Sequence, residues 1–227
     1  MIGFYDYTVI LTYLSLISAS CGIMVALSGS GHPYIGTFLL LFCGLCDAFD
    51  GKVARTKKNR SQAERSFGVQ IDSLSDLVAF GVLPAAIGNA MLRRSPLLSL
   101  VYGTWWERPL GVGVTAVLTV YILAAMIRLA YYNVTEEERQ KTEGGVRKYY
   151  TGLPVTSSAL IFPVILLLQY VTPADVTPVY FAVAALCAIA FLSPFQIRKP
   201  GLRGVLILVG IGAVEFLLIL IGKILRH

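Results

Sequence analysis

The chain has 227 residues, of which 56% are apolar and 14% charged, and its mean hydropathy is +0.71. This composition excludes an ordinary water-soluble domain and is typical of a protein that crosses a membrane several times. The net charge of +6 does not indicate a nucleic-acid partner, because the basic residues cluster between apolar stretches rather than along one surface.

Seven apolar stretches approach the roughly 20 residues that a helix needs to cross the hydrocarbon core. They predict an all-α polytopic membrane helix bundle, folded as one domain over residues 1–227, with six core helices within about 8–195. The first stretch is interpreted as a retained helix rather than a signal peptide, because no Lys or Arg precedes it. The predicted spans are 8–28, 34–55, 68–91, 110–132, 153–171 and 178–195, with an additional seventh at 202–225.

The basic residues predict the orientation of the chain. Connectors on the cytoplasmic side of a membrane carry an excess of Lys and Arg. Most of the basic residues fall in alternate connectors, which places the N-terminus in the cytoplasm. These residues are Arg55, Lys57, Lys58, Arg60, Arg65, Arg139, Lys141, Arg147, Lys148, Arg198, Lys199 and Arg203.

Four carboxylates lie in the second and third spans, at Asp47, Asp50, Asp72 and Asp76. An Asp at the centre of a membrane helix costs about 2.5 to 3.5 kcal/mol, so four of them need a compensating partner. Residues three or four apart share a helix face, so each span presents its two carboxylates together. Oxygen ligands of this kind suit Mg²⁺, Mn²⁺ or Ca²⁺ rather than zinc, and we predict one or two ions, Mg²⁺ or Mn²⁺.

Small residues accompany the carboxylates on the same helix faces. Gly51 and Ala54 follow Asp50, and Gly68 precedes Asp72 by four residues. Without bulky side chains, these positions let a phosphorylated ligand approach the backbone beside the metal. Together with Arg55, they are the predicted binding residues for a diphosphate group.

The pattern Asp47-x2-Asp50-Gly51-x2-Ala54-Arg55, followed by Gly68-x3-Asp72-x3-Asp76, resembles the signature of the CDP-alcohol phosphotransferase family. Twelve residues separate Arg55 from Gly68, which is longer than the common form of the family. The resemblance implies an integral membrane enzyme, often a homodimer, that moves a phosphatidyl group from a CDP-linked lipid to an alcohol. It also implies that Asp76 is the catalytic base.

Three further segments are similar to the branch of this family that uses serine. They are FGVQIDSLSDLVAFGVLPA at 67–85, MIRLAYYN at 126–133 and YYTGLPVTSSA at 149–159. The resemblance implies CDP-diacylglycerol as donor and L-serine as acceptor, while the basic connectors predict that the four Asp residues open to the cytoplasm. The serine carboxylate needs a cation, for which Arg128 is the first candidate because its guanidinium can bind in bidentate fashion. Asn133 and Lys148 are further candidates for acceptor binding.

Two alternatives remain open from the sequence. The first is the same enzyme family with another acceptor, such as glycerol 3-phosphate or inositol phosphate, which would need a denser basic pocket. The second is an ion or solute transporter that uses its intramembrane Asp residues as a relay. Glu215 in the seventh span has no partner in the sequence pattern, and we interpret it as a helix contact, for instance across a dimer.

Overall fold

The computed structural model describes residues 3–29, 31–96, 109–142, 149–198 and 201–225. Nearly all of the secondary structure is helical, in agreement with the predicted fold class. The helices are α1 (Ile10–Leu27), α2 (Pro33–Ala54), α3 (Gln62–Asp76), α4 (Leu83–Arg94), α5 (Pro109–Thr142), α6 (Ser158–Val171), α7 (Thr177–Leu192) and α8 (Leu202–Leu225). Short 3₁₀ turns precede α1 at Tyr7–Val9 and α6 at Val155–Ser157.

Five helical segments in the described part of the chain are long and apolar enough to cross a membrane. They are Tyr7–Leu27, Pro33–Ala54, Gln62–Arg94, Pro109–Arg139 and Arg203–Gly222. The helices at Val155–Gln169 and Thr177–Leu192 are apolar but shorter. The chain is therefore an integral membrane protein, and a crossing by all seven predicted spans stays a prediction.

The third helix begins earlier than the sequence pattern predicted. It starts at Gln62 rather than near Gly68, because Ser61 and Glu64 form a capping box. The Glu64 backbone N–H donates to the Ser61 hydroxyl at 3.1 Å, and the Ser61 N–H donates to the Glu64 carboxylate at 2.7 Å. Asp72 and Asp76 consequently lie in the last two turns of α3, and not in the opening turns of the helix.

A wide π-helical turn at Leu77–Val82 joins α3 to α4 directly after Asp76. Pro84 accounts for it, because proline has no N–H for the carbonyl of Phe80 and its ring crowds that carbonyl. The Tyr121 hydroxyl donates to the freed Phe80 oxygen at 2.6 Å, and the Tyr180 hydroxyl donates to the Pro84 oxygen at 2.7 Å. Two buried tyrosines thus satisfy the irregular backbone inside the bundle.

The main buried cluster draws residues from α1, α2, the π turn and α4 to α7, and its largest buried side chains are aromatic. Tyr121 packs against Phe162 and Phe191, with ring centroids 5.6 Å apart in both pairs. The ring of Tyr180 lies 4.6 Å from that of Phe162. These contacts fix the position of α5 relative to α6 and α7, and so they also fix the face of α5 that carries Arg128.

The fourth span also differs from the prediction, because α5 continues ten residues beyond 132. The added segment consists mostly of good helix formers, and Arg139 pairs with Glu136 at 2.7 Å, three residues away. Loss of apolar character therefore marks the end of the predicted span but does not end the helix.

A two-stranded antiparallel ribbon was not predicted. It pairs β1 (Tyr149–Thr151) with β2 (Gln196–Arg198), with Tyr150 opposite Ile197. The ribbon holds the segment before α6 against the segment after α7. It is too short to carry a recognisable alternation in the sequence.

An ionic cluster ties the N-terminal segment to the connector between α2 and α3. The Lys57 ammonium lies 2.7 Å from the carboxylates of both Asp6 and Glu64. Asp6 also accepts a hydrogen bond from the Thr8 backbone N–H at 2.8 Å. The Lys57 hydrogen bond and the Thr8 donors lower the pKa of Asp6 from 3.8 to about 2.

We predict that Asp6→Asn lowers the thermal midpoint by a few degrees at pH 7, because it removes a partly exposed ion pair. A carboxylate whose pKa is depressed on folding stabilises the protein above its unfolded pKa, and this contribution disappears as the pH falls from about 4 toward 2. The midpoints of wild type and variant should therefore converge below pH 4. Lys58→Gln, an exposed change in the same connector, is the control, and a pH-independent difference would contradict the prediction.

Candidate active site

One large cavity of about 1080 Å³ opens beside the second, third and fifth helices. Its two ends differ in chemistry. One end carries the charged residues of the sequence pattern, and the other is apolar, with walls from α2, α6 and α8. A cavity of this form matches an amphipathic ligand with a charged head and an apolar tail.

The structure brings the four predicted carboxylates to this one cavity. Asp47 and Asp50 reach it from α2, and Asp72 and Asp76 reach it from α3. The carboxyl groups of Asp50 and Asp72 lie close to each other across the two helices, and the Gly51 backbone N–H donates to Asp50. Asp76 is only 8% exposed. The two helices thus present all four carboxylates to the same cavity.

The carboxylates are not drawn into a single coordination sphere. Within the described residues, no group of three or more His, Cys, Asp or Glu side chains is close enough together to hold a metal ion. The donor chemistry nevertheless fits a hard divalent cation, since only carboxylate oxygens are offered. Two carboxyl groups in contact, as at Asp50 and Asp72, need either a shared proton or a cation between them.

The remaining signature residues divide into two groups. Gly51 and Arg55 line the cavity, whereas Ala54 and Gly68 do not. Gly68 lies under the guanidinium of Arg60, and a Cβ atom at this position would lie 2.6 Å from Arg60 Nη2. Arg60 approaches Gly68 closely while it donates to the Glu64 carbonyl at 3.1 Å, and a larger residue at position 68 would require this flexible side chain to move.

Arg128, the predicted acceptor-binding cation, lies at the wall of this cavity. It lines the same cavity, is 5% exposed, and donates from Nε to the Leu153 carbonyl at 3.3 Å. Its guanidinium carbon lies 5.6 Å from the centroid of the Tyr132 ring, and Tyr132 in turn contacts Tyr150. These contacts hold the guanidinium at the cavity wall.

The Gly152-Leu153-Pro154 segment positions the Leu153 carbonyl, which accepts the hydrogen bond from Arg128. Gly152 has a φ of +74°, and a Cβ there would lie 2.8 Å from the Phe191 carbonyl oxygen. The Gly152 N–H donates to the Phe195 carbonyl at 2.6 Å, and the Leu153 N–H donates to the Ala190 carbonyl at 3.0 Å. Only glycine fits this left-handed turn against the end of α7.

Asn133, the second predicted acceptor-binding residue, ties two helices together instead of lining the cavity. The Asn133 side chain donates to the Ser73 hydroxyl at 2.7 Å, which ties α5 to α3 beside Asp72. Asn133 is not among the cavity-lining residues. Lys148 lies outside the described residues, so its predicted role remains a prediction.

Lys52, Tyr132 and Tyr150 are among the cavity residues that the sequence did not single out as site residues. Lys52 Nζ is buried, lies 4.8 Å from the centroid of the Phe49 ring, and has no hydrogen-bond partner in the part of the chain that the structure describes. Its place directly after Gly51 was the only available signal. Tyr132 and Tyr150 lie within two of the segments that are similar to the serine-using branch of the family, at 126–133 and 149–159, and this was the available signal for them.

Glu215 points into the bundle rather than toward a second subunit. It is 5% exposed within the single chain, and its Oε2 atom is buried without a hydrogen-bond partner among the described residues. The interpretation of Glu215 as a contact across a dimer is therefore not supported, because the chain itself already covers this side chain.

Fold and site together define an integral membrane protein whose acidic cavity combines a charged end with an apolar end. The family model of the CDP-alcohol phosphatidyltransferases matches residues 8–197. This match covers most of the chain, and the chain belongs to that family.

Curated relatives of this chain carry related names. A Saccharomyces cerevisiae protein named CDP-diacylglycerol–serine O-phosphatidyltransferase is 35% identical over 138 residues, which cover 60% of this chain and 43% of the yeast protein. A Methanothermobacter thermautotrophicus protein named archaetidylserine synthase is 31% identical over 148 residues, or 65% and 53% of the two chains. A Helicobacter pylori protein with the same name as the yeast relative is 26% identical over 149 residues, again 65% and 53%. The chain thus spans about half the length of these relatives.

We predict that Gly152→Ala displaces the turn that holds Arg128. The left-handed backbone alone costs a non-glycine residue about 1–2 kcal/mol, so the thermal midpoint should fall by roughly 3–8 °C. Gly113→Ala is the matched control, because a Cβ at that position meets nothing within 4 Å. Helix propensity should leave this control unchanged or slightly more stable. Equal midpoints for the two variants would contradict the role assigned to Gly152.

Proposed function

We propose that this protein transfers a phosphatidyl group from CDP-diacylglycerol to the hydroxyl of L-serine and so produces phosphatidylserine and CMP. The observation that carries the proposal is the convergence of the four signature carboxylates on one cavity with an apolar extension. The names of the relatives support serine as the acceptor.

The charged end of the cavity suits the diphosphate of the donor. Arg55 and Lys52 line it together with the carboxylates. A buried ammonium without a partner is costly, and an anion brought by the substrate would remove that cost. We therefore assign Lys52 to the binding of a phosphate of the CDP group.

The four carboxylates are proposed to hold one or two divalent ions, Mg²⁺ or Mn²⁺. Asp47, Asp50, Asp72 and Asp76 are the ligands that the described chain offers for this purpose. When bound, such an ion neutralises the charge of the diphosphate and of the leaving CMP. Without it, like charges would repel the substrate from this end of the cavity.

Asp76 is proposed to accept the proton of the serine hydroxyl. The serine oxygen forms a bond to the phosphorus that carries diacylglycerol, the bond from that phosphorus to the CMP oxygen breaks, and CMP leaves. Asp76 is the most deeply placed signature residue on α3, at its last position before the π turn. Its burial keeps bulk water from competing for the proton.

Arg128 is proposed to bind the carboxylate of serine. Its guanidinium is already fixed by the Leu153 carbonyl and Tyr132 at the cavity wall, so little freedom is lost on binding. The planar guanidinium group can donate two parallel hydrogen bonds to a carboxylate. No dense basic pocket for a dianionic phosphate acceptor is found among the described lining residues, which include only Lys52, Arg55 and Arg128 as cations.

The charged end of the cavity is proposed to face the cytoplasm, with the N-terminus on the same side. Support comes from the basic connector that contains Lys57, Lys58 and Arg60, since it adjoins this end and basic connectors are retained inside. The resemblance to the family also leads us to propose a homodimer. The orientation is tested with Lys58→Cys in a variant whose exposed Cys21 is replaced. The measurement is the accessibility of the new cysteine in oriented vesicles.

The test of the proposed reaction is CMP release by the purified full chain from CDP-diacylglycerol. Release should need both L-serine and Mg²⁺ or Mn²⁺, and EDTA should abolish it. Asp76→Asn should reduce turnover by about 10²-fold or more, because general-base catalysis contributes on that scale. Glycerol 3-phosphate and inositol phosphate are the comparison acceptors. Release with one of them instead of serine would overturn the acceptor assignment, and no release from folded protein would overturn the reaction.

We further predict that Arg128→Lys raises KM for serine about tenfold or more while KM for the CDP-lipid changes little. Lysine keeps the charge but loses the bidentate geometry, and a hydrogen bond to a charged group contributes about 1.5–3 kcal/mol. Arg139→Lys is the control, because Arg139 pairs with Glu136 away from the cavity. An unchanged KM for serine would contradict the role of Arg128.

A further inference from the structure

The last helix, α8, lies beyond the region that the family model matches, which ends at residue 197. It nevertheless packs against α2 and α6 and forms one wall of the cavity. The lining positions recur every three to four residues, which is the spacing of one helix face. They include Val205, Leu208, Val209, Gly212, Ala213 and Phe216.

This face of α8 meets an equally apolar face of α2. The opposing wall includes Phe38, Leu41 and Leu45, and the rings of Phe38 and Phe216 contact edge-to-face with centroids 4.9 Å apart. Gly212 lies close to this wall, since a Cβ there would be 3.7 Å from Leu41 Cδ2. The two helices therefore enclose a groove without charged lining residues in its described part.

The groove has a depth that suits lipid chains. Nine residues of helix separate Asp47 at the charged end from Phe38, which corresponds to about 13 Å along the axis of α2. Half of a hydrocarbon core is about 15 Å thick. A ligand with its phosphates at the carboxylates would thus place its acyl chains between α2 and α8, at the depth that they occupy in one leaflet.

We propose that α8 forms the acyl-chain groove of the lipid donor and determines which chains the enzyme accepts. This inference rests on the proposed function, because it assigns the apolar end of the same cavity. The occupant is the diacyl part of the CDP-linked lipid, since the groove is continuous with the charged end that suits its diphosphate. A helix outside the family region would thereby adapt a shared active site to particular lipids.

The test compares two neighbouring residues of α8. Ala213 lines the groove, whereas Val214 is 55% exposed and does not line it. Ala213→Phe should raise KM for CDP-diacylglycerol with long acyl chains by about tenfold or more, on the scale of steric discrimination in apolar pockets. The KM for a donor with short acyl chains and the KM for serine should stay unchanged. Val214→Phe adds a phenyl ring to the same helix and should behave as wild type with both donors.

The outcomes separate this inference from the proposed function. CMP release by wild type with either donor upholds the reaction independently of α8. Equal KM values for long-chain donor in Ala213→Phe and wild type would overturn the groove assignment. If Ala213→Phe does not fold, Leu208→Ala widens the same groove without added bulk, and its relative rate with long and short chains must shift. An unchanged chain preference in that variant would also overturn the inference.

Discussion

The need to compensate four carboxylates inside a membrane protein governs the arrangement of this chain. Asp47 and Asp50 on α2 line the same cavity as Asp72 and Asp76 on α3, and the carboxyl groups of Asp50 and Asp72 lie close together. Isolated from water and cations, four carboxylates around one cavity would repel one another. The divalent ions proposed for this site would reverse that effect. The proposed chemistry and the structure of this end of the cavity therefore depend on the same four side chains.

The irregular features of the fold lie next to this centre. The π turn begins directly after Asp76, and Tyr121 and Tyr180 satisfy the backbone groups around Pro84. The Gly152 turn presents the Leu153 carbonyl to Arg128. In both places an aromatic core of long-range contacts stabilises a backbone that would be unfavourable by itself. Such features are typical of functional sites, where geometry matters more than regularity.

The cavity joins a charged end, which the family region forms, to a wall provided by a helix beyond that region. The carboxylates, Arg55 and Arg128 lie within residues 8–197, whereas Leu208, Ala213 and Phe216 follow that region. This division separates the proposed chemistry from the proposed choice of lipid. Changes in α8 can alter the apolar groove without replacing a charged residue, because the described α8 residues that line the cavity are all uncharged.

The sequence by itself determined the helical membrane class, the positions of the apolar spans and the four carboxylates. These depend on local composition and on helical spacing, which an isolated segment already expresses. It did not determine the start of α3 at Gln62, the extension of α5 to Thr142 or the β1–β2 ribbon, because polar segments carry little periodicity. Only the tertiary structure decided that Lys52 and Arg128 line the cavity while Ala54, Gly68 and Asn133 do not. The direction of a side chain in a bundle depends on how its helix packs against distant ones, and no local pattern contains that information.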